Sequence, residues 1–488
     1  MGASVENGKY VTPEGSKMWE YLTAFNCSIM SLCIGAIIGW DSPSIVKLMA
    51  PESSISVTVS NVSTLVAMVA IGHILGPIIN QLIVDRIGRK KTILFSGMSS
   101  TVCWGLITIA TNIWLDLKFK YFKYIVNINI IYSISFAVLY VAKLMGGLCL
   151  GQYMCVFTMY IGEIASPSTR GAGGAANTIT FNLGILGMFI VAPYLSISTA
   201  AAIWLTVSIG FTIAFCFMME SPYYLAMKGK MDEAEEALEK LRGKMDVSEE
   251  LQVIVESLCD EKQRRTGGIR LLLTERASCR AFIIINLITI THHIGGFFMI
   301  IAYGQLLFKS AQLEIVSDHT ANVVIGVVQV VSATITIFLV DKLGRKPLIL
   351  FSGLIAAASN FVIGVFFYAK DYLNADMSAY SAVLLIAAML LVFAFNCGLL
   401  PMQMIMMSEM FATEIKALAT CLLAVTSGCF SVIAAKAYIL VAVTWNYGHS
   451  VPYLAFFVIV TVCTALILRL SPETKGKTFV QIQKELCD

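Results

Sequence analysis

Among the ionisable side chains inside long apolar stretches of this sequence, five have the most chemistry to offer. Asp41 ends the first such stretch, Lys143 interrupts another, Lys436 lies in AAKAYIL, and His292 and His293 are neighbours in a charge-free run. Ionisable groups are costly in hydrocarbon, so each is read by default as functional. A carboxylate that loses both its water and a partnering cation takes up a proton, which makes Asp41 a candidate for proton exchange. Its alternative is structural: a residue in water at the membrane interface, capping a turn before Pro43. Adjacent histidines on a helix diverge by about 100° and face one site only where the helix is broken, a break that Gly295-Gly296 would supply. One of the two is then a polar contact or proton acceptor. Two histidines without a third ligand do not make a metal site. Lys436 is expected to snorkel towards a lipid headgroup. No apolar stretch holds a nucleophile, a base and an orienting group together, and no phosphate-cradling glycine loop occurs, so neither an enzyme nor a bound cofactor is expected.

The elements that position these residues follow from composition. Of 488 residues, 57% are apolar and 13% charged, with a mean hydropathy of +0.79. A soluble domain carries about 25% charged residues, so a water-exposed globular surface cannot be built here. The net charge of +3 gives no reason to expect a nucleic-acid partner. The thirteen cysteines are scattered without a CxxC pair and read as small buried hydrophobes. A helix crosses a bilayer with about 20 apolar residues, and twelve such spans are placed near 21–40, 57–84, 92–114, 134–161, 174–196, 199–219, 281–307, 319–340, 347–369, 379–408, 417–443 and 450–470. Basic residues after spans 2, 4 and 8 (Arg86, Arg89, Lys90, Lys91, Arg170, Lys342, Arg345, Lys346) put those loops, and with an even count both termini, in the cytoplasm. The expected organisation is a cytoplasmic tail over 1–20, a six-helix bundle over 21–219, a cytoplasmic helical linker over 220–280, a second bundle over 281–470 and a cytoplasmic tail over 471–488. Residues 228–280 carry 11 Lys/Arg and 12 Asp/Glu, in keeping with a linker in water. Lys118, Lys120 and Lys123 fall on the outer side of this arrangement, against the basic-loop tendency.

The loop chemistry is duplicated. Asp85-Arg86-Ile87-Gly88-Arg89-Lys90 recurs 256 residues later as Asp341-Lys342-Leu343-Gly344-Arg345-Lys346. Glu163 and Arg170 recur as Glu409 and Lys416, and Glu220-Ser221-Pro222 is echoed by Pro472-Glu473-Thr474. Three kinds of element in one order imply two like halves of six spans, an all-α membrane protein in which the halves rock about a midplane site. Gly allows a tight turn between helices, and the flanking charges can latch one conformer and release the other.

At these residues the sequence resembles the sugar porter family of the major facilitator superfamily, through DRIGRKK (85–91), YIGEIASPSTRGAGG (160–174), ESPYYL (220–225), DKLGRK (341–346), SEMF with Lys416 seven residues on from Glu409, and SPETKGK (471–477). Gly39-Trp40-Asp41-Ser42-Pro43, Thr178 and Gln329 look like its insect trehalose facilitator branch. The resemblance implies a major facilitator fold in the plasma membrane and alternating-access movement of a sugar, trehalose or a hexose, with facilitation expected ahead of proton coupling and the bilayer as its surroundings. It also implies that Asp41 and Lys143 meet, Lys143 standing where the family usually has arginine. The family's span 7 glutamines fall on His292 and His293, its asparagine on Phe298, its span 10 tryptophan on Met404 and its span 11 Asn-Trp pair on Ser427-Gly428. A sugar site needs oriented donors and acceptors and a flat apolar face. Thr178, His292, His293, Gln329 and Asn396 can still supply polar contacts, so a sugar stands beside two alternatives: a non-sugar organic solute, or a sensor that binds without transporting. About twenty extra residues between spans 3 and 4, from near Ile113 to Ile134, depart from the family; a genuine outer elaboration and an error in the gene model both accommodate them.

Overall fold

The computed structural model describes residues 4–6, 9–11, 16–50, 58–118, 128–264, 272, 275–411, 413–475, 477 and 479–487. Twelve helices in it are long and apolar enough to cross a membrane. They are Met18–Leu48, Ser60–Ile87, Arg89–Thr111, Phe136–Ile164, Thr169–Val191, Ile197–Cys216, Arg276–Ala311, Asp318–Leu339, Arg345–Asp371, Ser378–Met410, Leu418–Thr444 and Ser450–Leu470, called spans 1 to 12. The count agrees with the expectation, and the ends move by a few residues because helix formation outlasts the apolar run. Span 1 continues through Trp40 to Leu48, for instance. The third helix extends as backbone to Lys118 and the fourth begins at Ile128, and the segment between them lies outside the described residues. Before span 1 the backbone forms a small antiparallel hairpin, Ser4–Glu6 with Lys9–Val11.

Spans 1 to 6 and 7 to 12 make two like halves. Within the first half, span 1 packs on span 5, and span 2 on span 4. Glycines set these approaches. A Cβ on Gly184 would stand 2.1 Å from the Leu32 carbonyl oxygen, and one on Gly147 would stand 2.0 Å from that of Val69. Helices in a membrane associate by packing rather than by exclusion of water, so small residues at the crossing are what let the backbones touch. Between the halves, span 2 lies against span 11 and span 5 against span 8. With twelve spans, the start of span 1 and the end of span 12 fall on one face, here called the terminal face; the other is the opposite face.

The charged linker folds as helices Met231–Arg242 and Ser248–Arg264. Met231–Arg242 starts with Asp232 and Glu233 and ends with Lys240, Arg242 and a left-handed Gly243, matching the helix dipole and its C-terminal cap. Arg242 anchors it to the first half, meeting Glu20 at 2.5 Å and donating to the Ile164 carbonyl at 2.8 Å. Helix Phe479–Cys487 docks on the second half in the corresponding way: Gln483 donates to the carbonyl of Met410, at 2.6 Å.

Candidate functional site

Span 7 is broken just after the adjacent histidines, at the two glycines. Helix Arg276–Ile294 stops at Gly295, Gly296 takes a φ of +90°, and helix Phe297–Ala311 continues. Asn360 of span 9 occupies the break, its Nδ2 donating to the Gly295 carbonyl at 2.9 Å, and a Cβ on Gly296 would strike its Oδ1 at 2.5 Å. Nothing in the sequence singled out Asn360, because its role is defined by a neighbour sixty-five residues away. Both histidines precede the break in continuous helix, so the rotation of about 100° per residue sends the two imidazoles to different partners. His293 Nε2 shares a 2.6 Å hydrogen bond with Ser427 Oγ of span 11, whereas the His292 ring lies against Phe297 and Phe395, with ring centroids 5.5 and 6.4 Å away. Each histidine keeps a buried Nδ1 with no protein partner among the described residues.

The other expected contact residues differ in their surroundings. Gln329 is fully buried, and both ends of its amide are unpaired among the described residues. Phe298 stands with its ring 6.3 Å from that of His293. Asn396 lies in a π-helical turn, Phe395–Leu399, within span 10, and its Nδ2 is turned back to the Val392 carbonyl at 3.1 Å. Its amide nitrogen is therefore engaged with its own helix. Thr178 is exposed and its hydroxyl donates to Gly174, while Met404 is 53% exposed. Gln403, one residue earlier, was missed: it joins span 10 to span 7 by donating to Thr289 Oγ1 at 3.1 Å.

Asp41 and Lys143 meet. Their charged atoms are 2.7 Å apart and the side chains are 2% and 0% exposed. Lys143 also donates to the Ile37 carbonyl at 3.0 Å and lies over the Trp40 ring, 4.7 Å from a ring centroid. The structural alternative of a carboxylate capping a turn in water is corrected, because span 1 stays helical past Asp41 and buries it against span 4. Next in the chain, Ser42 crosses to the other half, its Oγ accepting from the Gln305 backbone N–H at 2.9 Å and from Asn322 Nδ2 at 3.0 Å.

Lys436 is corrected too. It does not snorkel; its Nζ crosses to span 2 and donates to Thr64 Oγ1 at 2.5 Å, with Ser63 Oγ at 3.3 Å. Two hydroxyls of the other half offer the ammonium acceptors within reach, so no headgroup is needed. Both the Ser42 and the Lys436 contacts lie towards the opposite face, and they hold the halves together there.

On the terminal face each half has its own network. In the first, Arg89 pairs with Glu163 at 2.9 Å and with Asp85 at 3.1 Å, while Glu220 accepts the backbone N–H groups of Arg89 and Lys90, each at 2.9 Å. Ser221 Oγ donates to Glu163. Gly88 takes φ +98°, and a Cβ there would meet Glu220 Oε2 at 2.2 Å. In the second, Arg345 pairs with Glu409 at 2.5 Å, Thr474 Oγ1 donates to Glu409 at 2.6 Å, and Gly344 takes φ +86°. Burial would raise the Glu473 carboxyl, but backbone N–H groups of Lys346, Lys475, Arg345 and Thr474 outweigh it and hold it below the usual range. Glu163 and Arg170 do not meet: Arg170 donates to the Gly162 carbonyl at 2.8 Å, while Arg89 and Ser221 fill the carboxylate. Arg86 is exposed and its carbonyl accepts from Tyr224. The side chains of Asp341 and Lys416 lie outside the described residues. Glu220, Ser221 and Thr474 were the underrated members, although the Glu-Ser-Pro and Pro-Glu-Thr echo had pointed to them. Among the described residues no group of three or more His, Cys, Asp or Glu side chains is arranged to hold a metal ion.

Two six-span halves, a break in span 7 beside unpaired imidazole nitrogens, and ionic networks repeated on one face are the architecture of a multi-pass membrane transporter. The fold is that of solved major facilitator transporters. The xylose transporter XylE of E. coli, in a partially occluded inward-open conformation, superposes with a TM-score of 0.74 at 21% identity, covering 94% of this chain and all of that one. The human organic anion transporter MFSD10 (TETRAN) gives 0.58 at 13% identity over 94% of this chain and all of its own. The family model described as "Sugar (and other) transporter" matches residues 22–486, and the chain belongs to that family. Curated relatives include the facilitated trehalose transporters Tret1 of Bombyx mori, 26% identical over 96% of this chain and 87% of the relative, and of Apis mellifera ligustica, 26% identical over 95% and 88%.

Proposed function

We propose that this protein carries a sugar, trehalose or a hexose, across the plasma membrane by alternating access and without a bound cofactor. The observation that carries the reading is the pair of imidazoles beside the span 7 break, whose Nδ1 atoms are buried and unpaired among the described residues, together with the buried and unpaired amide of Gln329 in span 8. Buried polar atoms without partners are costly, and a polyhydroxylated solute supplies the missing hydrogen bonds. Phe298 offers the apolar face that the lost tryptophan would have given, with Ser427 holding His293 in place. The trehalose relatives support the choice of solute. Residues 21–219 and 281–470 are the moving halves, 220–280 the linker between them, and the 1–20 and 471–488 tails are cytoplasmic by their place beside the basic loops. The Arg89–Glu163–Glu220 and Arg345–Glu409–Glu473 networks act as the cytoplasmic gate. The conformer seen, joined at the opposite face through Ser42 and Lys436, is the one open to the cytoplasm.

Facilitation is the primary reading, and one observation favours a second. The 2.7 Å contact between Asp41 and Lys143, buried in the first half, is an arrangement able to hold and release a proton as the halves move. Purified protein in liposomes, given labelled trehalose or glucose with and without an inward proton gradient, separates the readings. Entry that only equilibrates is expected for facilitation, and gradient-driven accumulation establishes coupling. No entry of either sugar into vesicles holding folded protein overturns the sugar reading in favour of a non-sugar solute or a sensor.

A further inference from the structure

We propose that His73 of span 2 belongs to the solute site, as the imidazole through which the first half contacts the same solute held by His292 and His293 of the second. The inference rests on the sugar reading above and adds a binding residue that neither the loop motifs nor the family resemblance indicated.

The placement of His73 follows from what its neighbours touch. Gly72 and Gly76 lie flush on span 4: a Cβ on the first would be 2.2 Å from the Leu144 carbonyl oxygen, and one on the second 2.7 Å from the Gln152 nitrogen. Gly151 reciprocates, its Cβ position being 2.7 Å from the carbonyl oxygen of His73 itself. On another side, Ala70 and Ile74 meet Gly428 of span 11, the Ala70 carbonyl 3.1 Å and the Ile74 side chain 2.3 Å from its Cβ position. With about 100° per residue, His73 falls between these two contact faces, in the wedge that spans 4 and 11 leave open. Gly428 follows Ser427, the residue hydrogen-bonded to His293. The close approach of spans 2 and 11 therefore carries His73 towards the span 7 break, and its imidazole interacts electrostatically with both His292 and His293.

The ring is half-buried in the middle of its span, on the boundary between the halves. The pair it approaches has two Nδ1 atoms with no protein partner among the described residues. A polar solute lodged between the three rings would hydrogen-bond to both halves at once, which is the bond that must be remade as the halves rock. His73 thus belongs to binding in the conformer where spans 2 and 11 are together.

The test compares the parent with His73→Leu and His73→Gln in liposomes, using labelled trehalose and glucose. It measures KM, maximal rate per folded transporter and melting temperature. Losing one hydrogen bond to the solute is expected to raise KM about five- to ten-fold in His73→Leu, with a retained melting temperature, and His73→Gln should restore most of the affinity. Should the leucine variant fail to fold, His73→Ala carries the same comparison. An unchanged KM in the apolar variant, whether or not less protein folds, overturns the inference and leaves His73 a packing residue. Absence of sugar uptake by the parent overturns the sugar reading itself, and this inference with it.

Discussion

Neutralising Asp41 and Lys143 separately and together measures what their contact does. At 2.7 Å, with an effective dielectric constant of 20, the Coulomb attraction is about 6 kcal/mol. Desolvation of each ion costs several kcal/mol, so the pair as a whole sits near balance. Its parts do not. Asp41→Asn leaves Lys143 with the Ile37 carbonyl and the Trp40 ring but no counter-charge, and Lys143→Met leaves the carboxylate bare. Each single change should destabilise the protein by about 3–5 kcal/mol, whereas the double variant Asp41→Asn/Lys143→Met should return to within about 1 kcal/mol of the parent. Melting of the purified proteins in one detergent, read by tryptophan emission, gives the order of the four. Uptake gives the function: if the pair is only structural, the double variant equilibrates sugar at the parental rate. Single variants that melt with the parent would refute the reasoning, because they would show that no uncompensated charge is buried between spans 1 and 4.

Lys436→Met removes the ammonium that joins span 11 to Thr64 and Ser63, and should loosen closure at the opposite face; a cysteine placed at Ser63 is then expected to react several-fold faster with a membrane-impermeant maleimide than in the parent background. Gly184→Val drives a side chain into the Leu32 carbonyl where spans 1 and 5 cross, a backbone clash that no rotamer relieves; overpacking of this kind costs about 3 kcal/mol or more, to be seen as a large drop in melting temperature. Burial, assisted by Lys370, holds the His449 imidazole down to about 4 from 6.5. The unfolded chain therefore takes the proton first, and the stability His449 contributes above about pH 6.5 is lost as pH falls towards 4. His449→Gln, which keeps a partner for Tyr438, should flatten the loss of melting temperature between pH 7 and pH 5.

What was legible in the sequence is what depends on neighbours along the chain. Twelve spans follow from local hydropathy, and the repeated Asp85 and Asp341 motifs announce a second copy because a loop's charges are set within a few residues. Gly295-Gly296 marked the break in span 7 for the same reason. The Asp41–Lys143 contact was reachable only through family resemblance, since nothing local says that spans 1 and 4 touch. Asn360, which fills the break, was not readable, and Lys436 stood out by its charge but not by its partner in span 2: each is defined by an acceptor far away in sequence. Asn396 shows the converse. It looked like a binding residue by type and place, but its amide nitrogen finds an acceptor one helical turn back, in the Val392 carbonyl.

The halves share a scaffold and divide the chemistry. In the first, spans 1 and 4 are joined by an ammonium and a carboxylate; in the second, the corresponding spans 7 and 10 are joined by the neutral hydrogen bond from Gln403 to Thr289. The unpaired imidazole nitrogens of His292 and His293 have a hydroxyl behind one of them and other imidazoles as their electrostatic neighbours, and the buried Gln329 amide is likewise unpaired among the described residues. An organic anion held there would lose its hydration without gaining a counter-charge, at a cost of several kcal/mol. A neutral solute rich in hydroxyls gives up only hydrogen bonds to water, and the same imidazoles and amide return them. The charge distribution therefore argues for a sugar over a charged metabolite on grounds independent of any relative. It also requires that neutral sugars compete for uptake while carboxylated analogues of the same size do not.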